Sequence, residues 1–140
     1  MSATTTQLQN RSLPGWLARV VLIVWTIGIW GSRLRNIVTD DELAGTELVL
    51  AVVVAGFLIA AALAVGYSMK RNLVGHGRAL GILVIAGIAR FTTRGIAILV
   101  NSEFDTGFKV VHTVLWVITV VLSVLAAREY AAERQSTVRS

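Results

Sequence analysis

From Leu48 to Met69 the chain reads LVLAVVVAGFLIAAALAVGYSM, and no charged residue interrupts it. A helix of this length rises about 1.5 Å per residue and covers about 33 Å, enough to cross a hydrocarbon core of roughly 30 Å. A helix that is apolar on every side has to be buried on every side, and a chain of 140 residues offers no soluble core of that size. The stretch therefore predicts a membrane span, and three others follow from it at residues 14–37, 79–100 and 108–127. The expected fold is all-α: a four-transmembrane-helix antiparallel bundle, N-in/C-in, forming one membrane domain over residues 14–127. Residues 1–13 are expected to be a disordered cytoplasmic tail. Residues 128–140 are expected to be a second cytoplasmic tail, helical at first and then frayed.

Composition agrees with lipid rather than water as the main solvent. Of the residues, 55% are hydrophobic and 15% charged, with a mean hydropathy of +0.71. Soluble domains carry about 25% charged residues. The formal charge of +5 would suggest nucleic acid in a soluble protein. Here the basic residues sit at the ends of apolar runs, where they orient spans in a membrane, and no nucleic-acid partner is expected. Cysteine is absent, which excludes a disulfide framework, a thiolate nucleophile and a cysteine metal site. Arginine outnumbers lysine and Ala and Val abound, a codon bias that suggests a GC-rich bacterium, plausibly an actinobacterium, and hence the bacterial inner membrane.

The connecting segments set the orientation. Thr39-Asp40-Asp41-Glu42 and Glu103-Phe104-Asp105 are acidic, whereas Lys70-Arg71 and Gly75-His76-Gly77-Arg78 are basic. Short loops rich in Lys and Arg stay in the cytoplasm, so the basic connection and both tails are expected inside and the acidic connections outside. Arg11 and Arg19 before an apolar run also fit a signal peptide. No small-x-small cleavage site follows, so a retained first span is the expectation. Small residues at four-residue spacing, Gly56, Ala60 and Ala64 on the second span and Ala89, Thr93 and Ala97 on the third, are candidate helix-packing faces.

The unusual feature is polar. Arg90 lies near the middle of the third span and Arg94 one turn further out, on one face with Gly87 and Asn101. The fourth span carries Lys109, His112, Trp116, Thr119 and Ser123 at spacings of three and four, and the first carries Arg19, Thr26, Trp30 and Arg33. Turning these lines toward one another predicts a basic, outward-facing pocket floored by Arg90, with Arg90, Arg94, Arg33, His112, Trp30 and Trp116 as candidate binding residues. A charge at mid-membrane costs at least about 2.5 kcal/mol, and the four predicted spans contain no acid to offset it. Three readings remain open. Arg90 snorkels or bonds to backbone, a partner subunit supplies an acid, or an anionic ligand does.

Other constellations carry less. Bis-histidine haem needs two ligands inside the bundle, and His76 falls in a predicted cytoplasmic turn. Gly75-His76-Gly77 is too short for a phosphate loop, and the pairs Arg128-Glu129 and Glu133-Arg134 read as a solvated helix face. No nucleophile, base and orienting group converge, and no metal ligands cluster. Neither an enzyme nor a cofactor is expected.

The motifs Gly87-Ile88-Ala89-Arg90 and Phe108-Lys109-Val110-Val111-His112, followed by an aliphatic helix ending Ala126-Ala127-Arg128, resemble an uncharacterised family of small four-helix bacterial membrane proteins. The resemblance covers residues 87–129 and implies a fold without an activity. Small multidrug transporters are similar in length and span count, but they carry a membrane-embedded Glu in the first helix that this chain lacks. Phe91-Thr92-Thr93 resembles part of the third-helix motif of fluoride channels, whose flanking glycines and later aromatics are missing here. The function expected is an accessory or assembly subunit of a larger membrane complex. The alternative is binding or transport of an anionic lipid or small anion. The partners expected are membrane lipids, with either another membrane subunit or a second copy of this chain.

Overall fold

The computed structural model describes residues 16–39, 45–71 and 75–139. The predicted N-terminal tail, Pro14 and the acids Asp40, Asp41 and Glu42 lie outside these residues. Four helices make up the described chain: α1 (Leu17–Val38), α2 (Gly45–Lys70), α3 (His76–Val100) and α4 (Thr106–Arg139). All four are long and apolar enough to cross a membrane, so the chain is a multi-pass membrane protein. Each helix touches the next in sequence, and α1 closes the ring against α4. The start of α1 meets the ends of α2 and α4, so the bundle is antiparallel. One end carries the end of α2, the start of α3, the start of α1 and the end of α4. The other carries the α1–α2 and α3–α4 connections; these are called the terminal end and the loop end.

Local chemistry sets the helix limits. Gly45 opens α2 at φ 63°, in the left-handed region that other residues adopt at a cost. Asp105 precedes α4 and its Oδ1 accepts the Phe108 N–H at 2.8 Å, satisfying one of the donors a helix start leaves open. Asn101 turns the chain between α3 and α4 by accepting the Glu103 N–H at 2.9 Å. The helix runs on past residue 127, where the fourth span was expected to end, into the tail that was expected to start as helix. Arg128–Arg139 continue the helix, and Tyr130 packs back onto the bundle.

Packing is tight at the terminal end and looser at the loop end. Leu22, Ala62, Val65, Leu80, Leu83 and Ala126 form a core to which every helix contributes. Nearer the loop end, Trp30, Ala55 and Leu58 form a second core whose packed neighbours come from α1, α2 and α3 alone. No residue of α4 before Thr119 is fully buried. The expected packing stripes are a correction: Gly56, Ala60 and Ala64, and likewise Ala89, Thr93 and Ala97, are exposed on the outside of the bundle. Helix α2 packs through Ala55, Leu58, Ala62 and Val65 instead. In lipid either face is equally apolar, so close fit to the neighbours decides which one turns inward.

Candidate functional site

The polar line of α1 does face the bundle: Arg19, Thr26 and Trp30 are buried, with Arg33 half-buried one turn beyond. On α4 the line ends in Thr119 and Ser123, both buried. Trp25 Nε1 donates to Thr119 Oγ1 at 2.9 Å and Trp116 Nε1 donates to Thr92 Oγ1 at 3.1 Å, pinning α4 to α1 and to α3. Trp116 is thereby committed to packing and does not line the cleft described next.

Toward the loop end, where α4 leaves the core, a small cleft of about 40 Å³ opens between α1, α3 and α4. It is lined by Arg33, Arg90, Arg94 and His112, with Trp30, Phe91 and Leu115 among its apolar walls. Five of the six residues singled out from sequence thus meet at one place. Trp30 and Phe91 pack edge to face at 5.8 Å across the bundle and close the cleft below. The Arg33 guanidinium lies 5.9 Å from the centre of the Trp30 ring, a cation–π contact that holds it over the aromatic face. The His112 ring sits 4.0 Å from the Phe108 ring, and its Nδ1 lies 2.9 Å from the Phe108 carbonyl oxygen. A carbonyl only accepts, so Nδ1 carries the proton and Nε2 is the free nitrogen. A second cavity, between α1, α2 and α3, shares Trp30, Arg33, Arg90 and Arg94 and adds Glu47, Leu50 and Ala51.

The charges in this cleft do not balance among the described residues. Among the described residues the one ion pair joins Arg19 to Glu133, at the opposite end of the bundle. Glu103 takes a hydrogen bond from Asn101, Asp105 caps α4, and Glu47 faces the second cavity beyond ion-pair distance from any arginine. Arg90 Nε is buried with no hydrogen-bond partner. An unpaired cation held away from water is costly, and three guanidiniums around one cleft add mutual repulsion. Guanidinium forks are shaped for oxyanions such as phosphate, sulfate or carboxylate, which they bind through paired N–H donors.

The terminal end holds a polar cluster that the sequence reading missed. His76 is not in a loop; it opens α3 and turns inward. Arg19 donates to His76 Nε2 at 3.0 Å and also pairs with Glu133. Arginine only donates, so Nε2 accepts, and Nδ1–H points to Ser68 Oγ at 3.2 Å. The Ser68 hydroxyl in turn donates to the Val65 carbonyl at 2.9 Å. Tyr130 packs edge-on against the His76 ring at 5.5 Å, directly over Gly77, where a Cβ would overlap the phenol. One cluster therefore ties α1, α2, α3 and α4 together. Glu133 is half exposed, yet it is no simple member of a solvated face. The signal was present: the α4 stripe, carried on from Ser123 through Ala126 and Tyr130 at the same spacings, arrives at Glu133.

No family model, curated protein or solved structure matches the chain. The resemblance drawn from residues 87–129 rests on the sequence alone.

Proposed function

We propose that this multi-pass membrane protein binds an anionic ligand in the cleft at its loop end, with Arg33, Arg90 and Arg94 as the binding cations. The observation that carries the reading is the convergence of three guanidiniums on one cleft with no carboxylate of the described chain paired to any of them. The acidic outer loops and basic inner segments favour an orientation in which the cleft opens outward in a bacterial inner membrane. His112 stands at the rim with its Nδ1 proton engaged by the Phe108 carbonyl oxygen. Arg90 lies deepest of the three arginines along its helix, and its buried Nε leaves a donor for the ligand to satisfy.

The test is ligand-induced thermal stabilisation of the detergent-purified protein by inorganic phosphate, beside Arg90→Gln and Arg94→Gln. A lost charged hydrogen bond should weaken binding about ten- to hundredfold. Equal stabilisation of all three proteins, or none in the wild type, would remove the cleft from consideration.

The runner-up is an accessory subunit whose partner, another membrane chain or a second copy, supplies the acid. It is favoured by the outward position of Ala89 and Thr93, beside Arg90 on a groove lined by both α2 and α3. Native mass spectrometry of gently extracted protein separates the two. A second polypeptide present in the wild type and absent from Arg90→Leu supports the subunit reading.

A further inference from the structure

We infer that the ligand is an amphiphile, a lipid whose anionic head group occupies the basic cleft and whose hydrocarbon chain lies in the groove between α2 and α3. The inference rests on the anion-binding reading and adds the chemical class of the ligand. The groove has a volume of about 410 Å³ and is lined by Val53, Val54, Phe57 and Leu58 on α2 and by Ala86, Ala89, Arg90 and Thr93 on α3. Arg90 also lines both cavities of the basic cleft. A single side chain therefore stands where a cationic chamber meets an apolar channel open to lipid.

Depth orders the two compartments as a lipid would need them. Measured along the helices from the loop end, Glu47 lies about 3 Å in, Leu50 and Ala51 about 8–9 Å, and Val53 to Leu58 about 12–20 Å. On α3, Arg94 lies about 9 Å from that end and Arg90 about 15 Å. Charge thus ends at Arg90, and the groove lining deeper than it, Phe57 and Leu58 on α2 with Ala86 and Ala89 on α3, is apolar. On α2, Leu50 of the charged cavity and Val54 of the groove lie one turn apart on one face. A free inorganic anion would use the first compartment and leave the second to bulk lipid. Only a head joined to a chain uses both. The exposed small residues find a role here as well: Ala89 and Thr93 keep the α3 wall low enough for a chain to lie against it. Glu47 faces the outer cavity as the one acid, so three arginines still leave the chamber net positive. That charge favours an anionic over a zwitterionic head group.

The experiment is native mass spectrometry of the full chain released from phosphatidylcholine nanodiscs containing a minor fraction of phosphatidylglycerol. It compares wild type with Arg90→Gln and with two groove variants, Ala89→Trp and Val53→Trp. Both groove positions are exposed on the bundle, so the larger side chains fill the groove without entering the core. Phosphate-induced thermal stabilisation in lipid-free detergent is measured on the same four proteins. The wild type should retain phosphatidylglycerol selectively, and each groove variant should retain about tenfold less while its response to phosphate is unchanged. Arg90→Gln should lose both. Undiminished lipid retention in both groove variants, with phosphate binding intact, overturns the chain-in-groove inference and leaves a site for a free anion. Groove variants that lose the phosphate response together with the lipid also count against it. No response to phosphate and no retained lipid in the wild type defeats the anion-binding reading itself.

Discussion

The two ends of the bundle each bring an arginine into the interior and treat it in opposite ways. At the terminal end Arg19 is only 5% exposed and is paired with Glu133 and His76 inside a core built by all four helices. At the loop end Arg90 has a buried Nε without a partner, beside a cleft shared with two further arginines. The difference is one of completion. The Arg19 cluster has its donors and acceptors matched within the chain, so it acts as a clasp that fixes how the helices meet. The Arg90 cluster is a set of donors with the acceptor left out. Glu129 Oε2 on α4 is likewise buried without a partner at the terminal end, but it stands alone. The convergence of three guanidiniums on one cleft is why the loop end is read as the functional one.

Substituting the two arginines in parallel should break the comparison most sharply. Arg19→Met removes the guanidinium from Glu133, which is half exposed, and from His76, with an expected loss of about 2 kcal/mol in a detergent or bicelle unfolding titration. Arg90→Met removes a charge that no described residue offsets, so stability should stay level or rise in the absence of ligand. Equal destabilisation by both would show that the two ends are equivalent structural sites. A smaller effect comes from Gly77→Ala, which places a methyl group against Tyr130. It should cost about 1–2 kcal/mol through displacement of the ring from His76, read as a lower thermal midpoint. Ligand binding at the far end should be unaffected, and a parallel loss of binding would mean that the two ends are coupled. The smallest effect expected is that of Asp105→Ala, about 1 kcal/mol from the lost cap of α4. Because α4 carries His112 into the cleft from this end, weakened phosphate binding in that variant would show that the rim of the cleft depends on the cap.

Several of these features were legible along the chain. The spans follow from length and apolarity, and the polar lines on α1 and α4 follow from spacings of three and four, because both are one-dimensional properties of a helix. The convergence of Arg33, Arg90, Arg94, His112 and Trp30 was inferred from those lines alone. Trp116 lies on the same line but turns its indole N–H to Thr92, a distinction made by one side-chain torsion and invisible to spacing. His76 and Glu133 were misread because each stands at the margin of an apolar run. Margins look like solvent in a hydropathy reading, even where a neighbouring helix covers them.

The amino-acid sequence by itself determined that this chain crosses a membrane as four helices and that cationic side chains lie within them. Apolar runs and helical periodicity are written into residue order and need no partner to be expressed. The tertiary structure decided which faces meet. It turned the small residues of α2 and α3 outward and closed the clasp between Arg19, His76 and Glu133. It also let α4 leave the core before Thr119, opening a cleft with Arg90 at its junction with the lipid-facing groove. The physical reason is that lipid and protein interior are alike in polarity. Apolar surface therefore carries no instruction about which side faces in, and shape and hydrogen bonding between helices supply it.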